Sequence, residues 1–161
     1  MDDRLPDIAA VARRFVSADG WDIWVGRTAG DNDLLSLRLA AAGDWWLHAG
    51  DVPGSHVIFR PPAPGGAPRP APEGPAARED GGAAPPRATL LDAAHLAAHF
   101  SKARAASRVK ITWTRARHVG KPRGAPPGQV SLSRRQELWL RVDRARTARL
   151  LGQAAPAAGG A

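Results

Sequence analysis

The sequence contains no cysteine, which excludes disulfides, thiol catalysis and thiolate metal sites and is compatible with a reducing compartment. No apolar run approaches the ~20 residues that a membrane-spanning helix needs. The opening MDDRLPDIAA lacks the basic start and apolar stretch of a signal peptide. A soluble, cytoplasmic protein with no membrane partner is therefore expected. A phosphate-binding glycine loop, a paired-carboxylate arrangement and a nucleophile motif are also missing, and no internal repeat is apparent. No cofactor is called for.

What the sequence does have is basic charge, unevenly placed. The net charge is +8 over 161 residues. Residues 1–60 hold 6 Arg/Lys against 9 Asp/Glu, residues 61–88 hold 3 against 3, and residues 89–161 hold 14 against 3. A basic half with interspersed hydroxyls and aromatics suits a polyanionic partner, because each phosphate contact releases condensed counterions. Coding bias can also enrich a solvated surface in Arg and Ala, and charge alone leaves these two readings even.

The patterned sequence predicts one α+β domain over residues 14–60 and 88–150. It follows a leader at 1–13 with a short helix after Pro6, and is interrupted at 61–87. That interruption is almost wholly Pro, Ala, Gly and scattered charge. Such a composition buries too little apolar area to offset chain entropy, so a disordered insertion is expected. Strands at Phe15–Ser17 and Trp21–Val25 are expected about a two-residue Asp19-Gly20 turn. Asn32 or Asp33 can cap a helix through Leu34, Leu37 and Leu39 that ends at a left-handed Gly43. Trp45–Ala49 and His56–Arg60 form a second strand pair. Thr89 with Asp92 resembles a capping box for a helix to about Arg104, with Asp92, His95, His99 and Lys102 on its solvent face. Val109, Ile111 and Trp113 alternate with polar residues as in a half-buried strand. Gly128–Ser133 and Leu138–Val142 read as a final hairpin, Trp113 and Trp139 as core in preference to a stacking face, and 151–161 as a disordered tail. The result is a mixed or antiparallel sheet with two main helices.

Polar residues concentrate at the ends of these elements, where ligand contact is favoured over packing. Arg27, at a strand end next to a helix start, is suited to grip a phosphate with its forked guanidinium. His48-x2-Asp51-x4-His56 could hold a metal or transfer protons, although two imidazoles and one carboxylate make an incomplete ligand set, and loop bracing explains them better. His95 and His99 have zinc-helix spacing, but Leu96 stands where a metalloprotease needs glutamate. Arg115–Arg123, RARHVGKPR, reads as a mobile positive loop that repels itself unless an anion is near. With Arg134 and Arg135 it could follow a phosphate backbone.

Asp19-Gly20, VGR at Val25–Arg27, Asn32-Asp33 before Leu-Leu-Ser, DWWLHA and PGSHVIFR together resemble the NFACT-R domain, the RNA-associated module of ribosome quality-control NFACT proteins. LDAAHLAAHFSKAR, VKITWT and HVGKPRGAPPGQV follow in the family's order, so the resemblance spans about residues 15–142. Thr28 stands where the family has Asn after Gly-Arg, and Leu35-Ser36 where it has Leu-Thr. Both changes keep hydrogen-bonding capacity. The larger NFACT proteins also carry a catalytic-like domain, a helix-hairpin-helix and a coiled coil, which do not fit in this length, so a stand-alone, bacterial-type member is implied.

The resemblance implies binding of tRNA or ribosomal RNA, with the large ribosomal subunit as a candidate partner. Arg27, Lys102, Arg104, Lys121 and Arg123 would contact phosphates. Asn32, His48, Ser55 and His56 would make shorter-range contacts, Asp33 and Ser101 belong to the same RNA-binding set, and Asp44 and the Pro-Gly-Ser turn would line the surface. Two alternatives stay open: an RNA-processing or RNA-modifying enzyme using His48, Asp51 and His56, and a module whose basic face meets acidic proteins.

Overall fold

The computed structural model describes residues 5–61 and 84–159. Helix α1 (Ile8–Val11) runs directly into β1 (Ala12–Val16), which pairs antiparallel with β2 (Asp22–Gly26). The turn between them is one residue longer than expected. Ser17 N–H donates to Trp21 O, Gly20 N–H donates to Ser17 O, and Gly20 takes the left-handed region at φ 83°. Ser17 Oγ selects this wider turn by accepting from both Asp19 N and Trp21 N.

Thr28, not Asn32 or Asp33, caps α2 (Ala29–Leu34), its Oγ1 accepting from Asp31 N at 3.0 Å. The chain winds on through a π-helical turn at Leu35–Leu39 and becomes extended at Ala40. Gly43 does not adopt the left-handed conformation expected of it. Next come β3 (Trp45–Ala49), β4 (Val57–Arg60), α3 (Arg87–His99), β5 (Arg108–Arg115), β6 (Val119–Gly120), β7 (Ser131–Leu132), β8 (Gln136–Arg141) and α4 (Arg144–Gly159). The six-stranded sheet has the order β1-β2-β4-β3-β5-β8, and every pairing in it is antiparallel. This is the α+β architecture expected. The last two strands do not form a hairpin, however: β7 pairs with β6 in a separate ribbon, and β8 is the edge partner of β5.

Alternation puts Phe15, Ile23, Val25, Leu47, Phe59 and Ile111 on one sheet face, under α3 and α4. Trp46 and Ile58 point to the other face and meet Val11, Ala12 and Leu35, so the end of the expected leader is buried in a second, smaller core. Trp113 packs against Trp45, with centroids 5.3 Å apart. Trp139 is not core: it is 64% exposed on the edge strand, with the Arg108 guanidinium over its ring.

The expected solvent face of α3 is largely covered, because α4 lies against it. Asp92 is fully buried, receiving Ala18 N–H and pairing with Arg146 and Arg149 at 2.6 and 2.7 Å. Asp92 and Thr89 therefore cap nothing; Thr89 Oγ1 bonds Ser17 and Asp19 instead. His95 is buried too, its Nε2 accepting from Asp143 N and its Nδ1 donating to Leu91 O. Helix α4 continues past 151, where disorder was expected, and Gln153 hydrogen-bonds both backbone groups of Val16. The insertion expected at 61–87 falls mainly on 62–83, which lie outside the described residues, as do residues 1–4 of the leader.

Candidate nucleic-acid interface

Two distant segments are stitched together where β3 turns toward β4. Ser55 N–H donates to Phe100 O and Lys102 N–H donates to Pro53 O, each at 2.9 Å, forming an antiparallel bridge between Gly54 and Ser101. A side chain on Gly54 would not fit, since a Cβ there would stand 2.6 Å from Ser101 Cβ. Ser101 Oγ donates to Ala98 O and accepts from Ala103 N, which closes the end of α3 beneath this bridge. The Pro-Gly-Ser and Ser-Lys-x-Arg motifs thus form one structure.

Helix α2 braces the same loop from the opposite side. Asn32 Oδ1 accepts from His56 N at 3.0 Å and its Nδ2 donates to Gly54 O. This approach requires Gly26, where a Cβ would collide with the Asn32 amide. Asp33 accepts from Gly128 N and pairs with Lys121 at 3.0 Å. The Lys121 ammonium also donates to Pro126 O and Gln129 O. The loop expected to be mobile is therefore held against α2.

His56 lies at the centre of this bracing, 2% exposed. Its Nε2 faces Gly128 O at 3.1 Å, and a carbonyl can only accept, so Nε2 carries the proton. Nδ1 then accepts from Ser36 Oγ at 2.7 Å, and Ser36 accepts from Trp46 Nε1. Burial first, and then the neighbouring His48, push the His56 pKa down to about 4. Burial also lowers His48, against a hydrogen bond to the Gly54 backbone. Both rings are neutral at pH 7.

Around the bridge lie two adjoining hollows. The outer, of 640 Å³, is lined by Arg27, Ser55, His99, Ser101, Lys102 and Arg104, and the inner, of 530 Å³, by Asn32, His48, Val52, Gly128 and Gln129. They share Arg27, Pro53, Gly54, Ser55 and Phe100. Among the described residues, no carboxylate pairs with Arg27, Lys102 or Arg104, all three of which are exposed. The His99 pKa is lowered by burial and then by Arg104, Arg144 and Arg13, the sign of an unneutralised positive field.

Seven of the expected site residues line these hollows: Arg27, Asn32, His48, Ser55, Ser101, Lys102 and Arg104. The others are placed differently. The His56 and Asp33 side chains and the Lys121 ammonium bond within the protein beneath the inner hollow, so they position its floor. Arg123 is exposed on the braced loop and lines neither hollow. Asp44 is buried under Arg60, with which it pairs at 2.6 Å, and it also lines neither hollow. The Pro53-Gly54-Ser55 turn lines both hollows, as the resemblance implies, whereas Phe100, Thr28 and Gln129 are lining residues that the sequence reading does not single out. Phe100 reads as core in the helix pattern, and only the resemblance to a Pro-Gly-x-Val loop points toward Gln129.

The histidine constellation does not assemble as a proton-transfer or metal site. Asp51 is exposed at φ 64° with its carboxylate 2.6 Å from Lys110, and it does not line the inner hollow with His48. Among the described residues, no group of three His, Cys, Asp or Glu could hold a metal ion. No helix among them is long and apolar enough to cross a membrane.

An antiparallel α+β domain that sets the exposed cations Arg27, Lys102 and Arg104 around one braced, concave site has the build of a polyanion-binding module. The chain belongs to the NFACT-R family, since residues 12–134 match the family described as the NFACT protein RNA binding domain. It is similar to the Rqc2 homolog RqcH of Bacillus subtilis, with 35% identity over 83% of this chain and 20% of that protein. The Rqc2 homolog RqcH of Streptococcus suis shows 34% identity over 80% of this chain and 20% of that protein. The chain thus spans about a fifth of the length of these relatives. Among solved structures, the C-terminal part of the fibronectin/fibrinogen-binding protein from Streptococcus suis is similar, with a TM-score of 0.68 and 29% identity. That match covers 87% of this chain and 49% of the other.

Proposed function

We propose that this chain binds structured RNA, either tRNA or ribosomal RNA of the large subunit, in the cytoplasm and in the service of ribosome quality control. The family's description as an RNA binding domain and the similarity to Rqc2 homologs support the partner class. The observation that carries the reading to particular residues is the gathering of Arg27, Lys102 and Arg104 around the Gly54–Ser101 bridge. In this reading the three cations hold phosphates and fix register. Ser55 and His48 make short-range contacts, and Arg123 touches the backbone further out. Asn32, Asp33, His56, Ser101 and Lys121 position the others.

Anisotropy titration of labelled tRNA across a salt series tests this, with wild type compared to the Lys102→Ala, Arg104→Ala double variant. Tight wild-type binding that resists duplex DNA and polyglutamate is expected. The double variant should flatten the slope of log K against log salt by about 2, one unit for each lost phosphate contact. Equal competition by unlabelled tRNA, duplex DNA and polyglutamate would reduce the interaction to charge alone. An unchanged slope in the variant would move the site elsewhere.

A further inference from the structure

The two hollows differ in chemistry although they share a wall. Lys102 and Arg104 border only the outer one, and its neighbour His99 lies in the field of three arginines. Apart from the shared Arg27, the inner hollow has no cation in its lining among the described residues. It presents Asn32, a neutral His48, the Gly128–Gln129 segment and the apolar surfaces of Val52 and Pro127. Its floor is held in place before any ligand arrives, by Asn32 on Gly54 and His56, by His56 on Gly128, and by Lys121 on Asp33. At 530 Å³ it is within the size range of pockets that take small organic groups.

A ligand that fills both hollows must therefore be anionic at one end and neutral, polar and compact at the other. A duplex cannot supply this. Its phosphates could reach the outer hollow, but its bases are stacked and paired within the helix, and the inner hollow would stay unfilled. An unpaired nucleotide supplies both ends from adjacent atoms.

We infer that the two hollows together seat one unpaired RNA nucleotide, with its phosphate against Arg27, Lys102 and Arg104 and its base in the inner hollow beside His48 and Gln129. This rests on the RNA-binding reading and narrows it to single-stranded ends, loops or bulges. His48 and the Gln129 amide offer hydrogen bonds to a base edge, and Phe100 and Pro53 in the shared wall offer apolar contact. Arg27, common to both hollows, stands where phosphate and sugar would meet.

The test uses two labelled RNA hairpins of identical stem, one blunt and one with a three-nucleotide single-stranded 3′ extension. Binding is measured with wild type, Gln129→Ala, His48→Gln and the Lys102→Ala, Arg104→Ala pair, with duplex DNA as competitor. The extension should tighten wild-type binding by about five- to a hundredfold. Gln129→Ala should reduce that gain while leaving blunt-hairpin affinity and the salt slope unchanged, and His48→Gln should reduce it without altering the salt slope. The cation pair should weaken both hairpins and flatten the slope. Gln129 is exposed, so its variant tests the base end even if His48→Gln lowers the melting temperature. Equal wild-type affinity for the two hairpins, both resisting DNA, would overturn the unpaired-nucleotide site while leaving RNA binding intact. Failure of either hairpin to outcompete duplex DNA would remove the RNA-binding reading, and this inference with it.

Discussion

His56 has both ring nitrogens engaged inside the protein, and its position makes folding depend on pH. In the unfolded chain the imidazole titrates near its ordinary 6.5, whereas in the folded state it titrates at about 4. Between these values the unfolded state binds a proton that the folded state refuses. The stabilisation is therefore complete above pH 6.5 and is lost as the pH falls toward 4, by about 3 kcal/mol. His48 and His95 are lowered in the same direction and add to the slope. Urea midpoints should fall steadily between pH 7.5 and 4.5. His56→Gln should lower stability at pH 7 by about 1–3 kcal/mol, because Ser36 and Gly128 lose a buried partner, and should flatten the profile. A wild-type profile that is already flat would refute this account. At this scale the sequence identifies which residues are polar and near turns, but not which way they face. Arg27 and Lys121 look alike in the sequence, yet Arg27 is exposed with no carboxylate partner among the described residues, and Lys121 is bound to Asp33 and two carbonyls.

The site is built where elements end, and at Gly54 two backbone segments come too close to admit a side chain. Gly54→Ala must push the Pro53–Ser55 turn away from Ser101, breaking the Ser55–Phe100 and Lys102–Pro53 hydrogen bonds. A cost of about 1–3 kcal/mol is expected, as for other forced insertions of a methyl group. RNA affinity, measured at a temperature where the variant is fully folded, should fall as well, since both hollows share this wall. Retained affinity together with retained stability would show that the bridge is dispensable. Most strands were legible from their period-two alternation, which is a local property. The faces of α3 were less so. Asp92 and His95 have the composition of a solvated stripe, and only the presence of α4 with Arg146, Arg149 and Asp143 makes their burial tolerable. The pairing of β7 was misjudged for a similar reason: its partner β6 is only two residues long and carries no alternation to detect.

Across the whole molecule, α4 closes the main core by tying the chain's end to its beginning. Leu150 is fully buried, Gln153 bonds Val16, and Arg146 and Arg149 neutralise Asp92. Deleting residues 144–161 would leave that carboxylate without its charge partners, a loss of about 3–5 kcal/mol for a broken buried pair. Natural domains hold only about 5–15 kcal/mol in total, so the truncated chain should unfold at much lower urea. A midpoint unchanged by the deletion would show α4 to be peripheral. The sequence by itself determined the α+β class, most strand positions, the basic second half and the ordered motifs that mark the family, because alternation, turn chemistry and charge are local and survive without a fold. Tertiary structure alone decided which of those motifs touch. Gly54 meets Ser101, and Asp33 meets Gly128 across 95 residues of chain. Such contacts follow from sheet order and helix placement, which depend on how all the apolar faces bury one another at once.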